Sequence, residues 1–453
     1  MSQQSSIGSA EDLRNPDYMP PMIQAVPLGI QHILAMFISN VTPAIIVCGA
    51  AGFGFNSNSP DFPNMIYMIQ MSMFFAGIAT LIQTIGFGPV GARLPIVQGT
   101  SFAFVPIMVP LVADKGVDAI AILMGGVIIG GLFHTILGFF IGRIRFALPP
   151  LVTGLIVMMI GLALIKVGIQ YAAGGVPAKM NGLPEYGSLL NWSVAGVVII
   201  VTLLLKFFTR GMLSVAAVLI GIIAGYIVAY FNGMVDFGNI SKASSLALPN
   251  PFHFGVEFTA AAIIGFCAMS FVSAVETVGD VSGITKGGAN REATDKEIEG
   301  ATYADGIGSA VAGVFGGLPN TSFSQNVGLI AMTGVMSRHV VTIGALLLVV
   351  AGLIPKVGAF ISTIPIEVLG GGVIVMFGMV SAAGISMLAT VNWNKRNLII
   401  FAISLSVGLG LQLEPDALQH LSGTAKVLMS SGLLPAAVIA IVLNLILPES
   451  IED

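Results

Sequence analysis

The chain has 453 residues, of which 55% are hydrophobic and only 9% charged, far below the roughly 25% charged residues of a soluble domain. Mean hydropathy is +0.95, and the net charge of −4 leaves no basic footprint for nucleic acid. Cys48 and Cys267 sit in apolar runs as small hydrophobes, which excludes a disulfide framework or a cysteine metal site and leaves a polytopic membrane protein.

The N-terminus, MSQQSSIGSAEDLRNPDYMPP, lacks the basic region and apolar core of a cleaved signal and reads as a short disordered cytoplasmic tail, 1–23. Fourteen apolar spans follow, at 27–51, 65–88, 94–113, 117–141, 149–169, 190–208, 212–232, 257–282, 303–317, 320–334, 338–359, 367–389, 396–412 and 433–448. The third, ninth and tenth are short or polar in the middle. With the N-terminus inside, 12 of the 18 lysines and arginines fall on the cytoplasmic side, Arg145 among them, and six, including Lys242, fall outside. That bias predicts both termini in the cytoplasm.

"QGTSFAF" (98–104) in span three resembles "PNTSFSQ" (319–325) in span ten. "GLIVMMIG" (154–161) in span five resembles "GGVIVMFG" (371–378) in span twelve. The two offsets are nearly equal, and both correspond to seven spans. An odd shift inverts the topology, so the chain reads as two inverted repeats, the architecture of secondary transporters. Within each repeat, the stretches around Pro95–Gln98 and 318–323 read as extended chain, followed by half-helices too short to span. Irregular backbone at lipid depth survives only where protein buries it or where it lines a cavity. Two helix N-termini near the midplane, with the Thr and Ser of each TSF as caps, would present N–H groups to a substrate.

Span eight carries Glu276 and Asp280, four residues apart and on one face. An ionisable residue within a span is costly and marks a functional site. Asp280 lies nearer the cytoplasmic end, where water would reach it. His32 reads as a structural hydrogen-bonding group. Asp305 reads equally as a core polar contact or as part of a proton relay. His134, His253, His339 and His420 receive no role, Lys166, Lys206 and Lys356 read as snorkelling anchors, and 286–299 as a solvated loop. Glu276 accepts hydrogen bonds, Gln325 donates and accepts, and Phe102 offers a ring face, a set suited to a flat heterocycle with N–H and C=O edges. A sulfate-like anion would be repelled by Glu276.

At these residues the chain resembles the nucleobase–ascorbate transporter family, the second class of nucleobase:cation symporters. The family signature is complete as Gln325, Asn326, Val327, Gly328, four variable residues, Thr333 and Gly334. "AVETVGD" in span eight matches the xanthine and uric acid branch, and "QH" at His32, "QGTSF" and "ADG" at Asp305 also fit. The resemblance implies fourteen spans, with a core domain of spans 1–4 (24–141) and 8–11 (250–360). A gate domain of spans 5–7 (142–235) and 12–14 (361–449) completes the fold, and members dimerise through it. It further implies proton-coupled, elevator-type uptake of purine bases across a bacterial inner membrane, with no cofactor and no metal. Glu276 and Gln325 would hold the base, assisted by backbone N–H groups of Phe102 and Ser324. His32, Asp280, Asp305 and Asn326 match polar positions bearing on affinity or coupling. Ser101, where xanthine-selective members often carry asparagine, points to uric acid or to both purines. Gln325 in place of glutamate argues against uracil. The alternatives are an anion transporter of the same fold, for sulfate or bicarbonate, and a uracil permease. An enzyme would need a nucleophile–base set or metal ligands, which the scattered histidines do not supply.

Overall fold

The computed structural model describes residues 8–54, 59–113, 115–144, 149–238, 240–241 and 243–448. Arg145 and Lys242, both counted in the charge bias, lie outside the described residues. The first half of the chain runs α1 (Ala10–Arg14), α2 (Met22–Ala50), α3 (Phe62–Ile85), strand β1 (Gln98–Thr100), a 3-10 turn (Phe102–Phe104), α4 (Val105–Val112), α5 (Ile120–Gly138), α6 (Ile141–Ile144), α7 (Pro150–Ala172), α8 (Val176–Met180), α9 (Leu189–Phe208), α10 (Met212–Val215) and α11 (Ala217–Phe231). The second half runs α12 (Ala260–Ala289), α13 (Asp295–Val314), strand β2 (Asn320–Ser322), α14 (Ser324–Thr333), α15 (Arg338–Gly352), α16 (Pro355–Ile361), α17 (Ile366–Leu388), α18 (Lys395–Leu413), α19 (Gly423–Ser430) and α20 (Leu433–Ile446).

Among the described residues, eight helices are long and apolar enough to cross a membrane, or up to ten if each of two bent pairs counts as one span. The bent pairs are α15 with α16, at 88°, and α19 with α20, at 80°. Proline and glycine set several helix limits. Pro149 and Pro150 open α7, where the missing N–H costs nothing, and Gly334, at φ 69°, ends α14. Helices such as α9 are apolar around most of their circumference. On α9 and α18, Leu203, Leu204, Phe207, Leu398, Ile399 and Ile403 are exposed, as a lipid-facing surface requires. The chain is an integral membrane protein.

Helices α2–α5 pack with α12–α15, while α7 packs along α17, joined by α9, α11, α18 and α20. Within the first group, packed on α2, α3, α12 and α13, lie β1 and β2, which pair antiparallel with Gln98 opposite Ser322, Gly99 opposite Thr321 and Thr100 opposite Asn320. Extended chain at this depth satisfies its own backbone by pairing the two half-chains. Gly99 has no room for a side chain, since a Cβ there would stand 2.9 Å from Asn40 Oδ1 and overlap the Phe323 ring.

Three expectations are corrected. Residues 8–21 are not a loose tail. A capping box between Ser9 and Asp12 starts α1, holding the Asp12 carboxyl below its ordinary value through hydrogen bonds from Ser9. Leu13 O then accepts from Met336 N at 2.8 Å and Pro16 O from Arg338 N at 2.9 Å. A short polar segment gives no sign in sequence of partners in the opposite half of the chain. The weak ninth span is the 20-residue helix α13, begun by a Thr294–Glu297 capping box. The loop expected at 286–299 is therefore short, because α12 continues to Ala289 and α13 starts at Asp295.

Candidate functional site

Each strand is held by hydroxyl and amide groups from helices of its own half-chain. Thr80 on α3 accepts from Gln98 N at 2.9 Å, and Ser309 on α13 accepts from Asn320 N at 2.9 Å. Asn40 on α2 accepts from Thr100 N at 2.8 Å, while Ser273 on α12 donates to Thr321 Oγ1 at 3.1 Å. These brackets fix where the 3-10 turn at Phe102 and the half-helix α14 begin. Neither start has a capping side chain. The expected caps fail at both ends. Ser101 Oγ is buried without a partner, and Phe323 stands at the cap position of α14. The Ser322 hydroxyl is drawn to a stronger acceptor, the Asp280 carboxylate, at 2.6 Å.

Asp280 also accepts from Ser324 Oγ at 2.7 Å and is only 7% exposed. It clamps the entry of α14 and is not the water-accessible helix end that its sequence position suggested. Asp305, on α13, is fully buried. Its Oδ1 accepts from Gln83 Nε2 at 2.9 Å and Gln98 Nε2 at 2.6 Å, and its Oδ2 meets the Thr277 hydroxyl. His32 Nδ1 lies 2.9 Å from Asn326 Nδ2, which also donates to the His32 carbonyl, tying α2 to α14.

Glu276 and Gln325 differ from all of these. Neither side chain makes a hydrogen bond with the protein among the described residues. Both line a cavity of about 350 Å³ that opens between α12 and α14 on one side and α7 and α17 on the other. Phe102, Ser324 and Gly328 share this wall, and Val157, Ile160, Val380, Ala383 and Met387 form the apolar side opposite. The volume is in the range of small-molecule sites, roughly 300–1,000 Å³. The structure thus brings Glu276, Gln325, Phe102, Ser324 and Asp280 to one cavity. Ser101, His32, Asp305 and Asn326 do not line it. Thr333 donates to Leu329 O at 2.9 Å inside α14, and Gly334 ends that helix.

The cavity continues past Ser324, Gln325 and Gly328 into a space of about 360 Å³ lined by Lys206 and Ser214. Past Thr153, Gly279 and Met387 it meets another of about 360 Å³ lined by Ile141, Pro149 and Ser282. Both lead to the side that carries Arg143 and Lys206. On the opposite side the helix groups are in contact. The Phe102 ring meets Phe377 edge-on at 5.2 Å, and Tyr171 OH donates to Ile45 O at 3.2 Å.

Sequence reasoning missed Asn40, Thr80, Gln83, Ser273, Thr277 and Ser309. Their signal is weak, a single polar residue inside an apolar run, and only tertiary packing against the strands and α13 gives them partners.

The chain is similar to known proteins over most of its length. The model described as "Permease family" (Xan_ur_permease) matches residues 23–417. The xanthine permease XanP of Escherichia coli strain K12 is 36% identical over 439 residues, covering 95% of this chain and 93% of that one. The uric acid permease PucK of Bacillus subtilis is 37% identical over 427 residues, covering 93% and 95%. Among solved structures, the transmembrane domain of the cyanobacterial bicarbonate transporter BicA superposes with a TM-score of 0.58 at 14% identity, covering 93% of this chain and 97% of that one, which shows the shared fold alone. With a matching family model over most of its length and relatives above one-third identity, the chain belongs to this permease family and is a membrane transporter rather than an enzyme.

Proposed function

We propose that this protein is a proton-coupled symporter that carries uric acid, xanthine or both across the bacterial inner membrane, with both termini in the cytoplasm. The observation that carries the reading is the pair Glu276 and Gln325. A free carboxylate and a free amide share the wall of one cavity, beside two uncapped helix starts and the ring of Phe102. Gln325 is exposed to the cavity and Glu276 partly so, and with no protein partner among the described residues both groups are free to meet a ligand there. The carboxylate accepts from ring N–H groups, the amide reads an N–H and C=O edge, and the helix starts donate to carbonyl oxygens. The names of the relatives, xanthine permease and uric acid permease, support a purine base.

In this reading the chain has fourteen spans in two inverted repeats. Helices α2–α5 and α12–α15 form a core that moves as an elevator against a gate of α7–α11 and α17–α20, through which two copies pair. The cavity is open to the cytoplasmic side. The coupling ion is a proton, no cofactor takes part, and protonation of Glu276 lowers the cost of moving it through the bilayer.

The test is competition binding of xanthine, uric acid, hypoxanthine, guanine and uracil to purified protein. Xanthine or uric acid should displace the others, and preferential binding of uracil would overturn the branch. Sulfate or bicarbonate binding in their place would support the anion reading that the fold also permits. In proteoliposomes, Glu276→Gln should lose proton-driven accumulation. Full accumulation by that variant removes Glu276 as the obligatory carrier.

A further inference from the structure

Asp305 and Thr277 carry an inference about how a proton is sensed beneath the cavity, and it rests on the reading that transport is proton-coupled. We propose that Thr277 is a positioning residue whose hydroxyl reverses its donor role when Asp305 gains or loses a proton.

The argument is a count of hydrogens. Asp305 is fully buried, and among the described residues no lysine or arginine forms an ion pair with it. Its Oδ1 already accepts two amide N–H groups, from Gln83 and Gln98. An acid proton on this carboxyl therefore sits on Oδ2, whose neighbour is Thr277 Oγ1. That hydroxyl also lies 3.1 Å from Ser273 O, one turn back on α12. A hydroxyl has one hydrogen and cannot give it to both. With Asp305 ionised, Thr277 donates to Oδ2 and leaves Ser273 O to its helical bond. With Asp305 protonated, Oδ2–H donates to Thr277 Oγ1, and the Thr277 hydrogen turns to Ser273 O. One proton is added, no covalent bond other than O–H changes, and Thr277 goes from one hydrogen bond to two.

The consequence reaches the cavity along short paths. Thr277 follows Glu276 on α12, and Ser273 donates to Thr321 in β2. Gln98, the second donor to Asp305, lies in β1 opposite Ser322, which Asp280 clamps. The proton state of a site outside the cavity is thus passed to both strands and to the helix of Glu276. Other titratable groups on elements packed against Asp305 are Glu276 and Asp280 on α12 and the buried His134 on α5. Arg143 and Lys286, at helix ends, make no bond to it. The sides facing α3 and β1 contribute only the neutral Gln83 and Gln98.

The test uses the full chain in proteoliposomes, with Thr277→Ser and Thr277→Val, and Thr277→Ala where the valine variant does not assemble. Binding of xanthine and uric acid is measured against pH, together with accumulation driven by a proton gradient. Thr277→Ser should behave as wild type. Thr277→Val should keep its best affinity within about threefold, displace the midpoint of the pH dependence by about one unit, and accumulate about tenfold less. A wild-type midpoint in Thr277→Val overturns the proposal. Infrared titration of the protonated carboxyl band, identified by its loss in Asp305→Asn, needs no substrate. The band should change frequency in Thr277→Val and not in Thr277→Ser, and an unchanged band also overturns the proposal. If wild-type protein binds no purine base at any pH, the functional reading fails, and the infrared result still decides the role of Thr277.

Discussion

Asp280 shows how one buried carboxylate sets the geometry of a neighbouring site. It accepts from Ser322 and Ser324, which flank Phe323 at the entry to α14. Removing it leaves the buried Ser322 hydroxyl and the cavity-facing Ser324 hydroxyl without their acceptor, each charge-assisted bond contributing about 1.5–3 kcal/mol. Asp280→Ala should therefore weaken substrate binding by at least about thirtyfold, and Asp280→Asn, which keeps one acceptor oxygen, by less. Calorimetric titration of the two purified variants checks the order, and equal affinities would show that the clamp does not position Ser324. Glu276 and Gln325 were legible without a structure, because an ionisable or amide side chain in an apolar run has few reasons to be there. Asp280 stood out for the same reason, yet its role did not. Whether a carboxylate faces water, substrate or two serines depends on residues 42 and 44 positions away.

The half-helices and their strands were legible as elements, because Pro95 and Pro319 break the apolar runs and leave pieces too short to span. Their pairing was not, since the two-strand ladder joins segments from opposite halves of the chain. The same holds for the contacts that close the cavity away from Arg143 and Lys206. Tyr171 on α7 donates to Ile45 O on α2, across the boundary between the two helix groups. Beyond that contact, Pro106, Lys166, Gln170 and Tyr171 border a separate space of about 390 Å³. Tyr171→Phe removes one hydrogen bond that exists only while the groups touch, worth about 1 kcal/mol. The open form on that side should gain roughly fivefold in population. Labelling of Ile160→Cys, which lines the main cavity, by an impermeant maleimide applied from that side, in a background lacking Cys48 and Cys267, should accelerate by a similar factor. An unchanged rate would show that Tyr171–Ile45 does not hold the closed side.

Across the whole molecule, the N-terminal segment ties the two half-chains together. Arg338 pairs with Asp17 at 2.6 Å and also donates to Thr84 O at 2.7 Å, so it joins the N-terminal segment to the ends of α3 and α15. Asp17 is 69% exposed at its side chain, and an exposed pair of this kind contributes about 0–1 kcal/mol. Asp17→Ala should leave thermal stability in detergent almost unchanged, whereas Arg338→Ala, which also frees a helix-end carbonyl, should lower it measurably. Equal melting temperatures for the two variants would show that the Thr84 contact adds nothing. Local patterning along the chain was enough to set the class of protein, the long apolar helices, the two interrupted segments and the candidacy of Glu276 and Gln325, which the fold brings to one cavity. Each follows from the cost of polar groups in lipid, which acts segment by segment. Which polar residues meet was settled only by folding, through the β1–β2 register, the Asp280 clamp, the Asp305–Thr277 contact and the docked N-terminus. Those are pairings between distant segments, and hydrophobic patterning constrains where a segment lies without naming its partner.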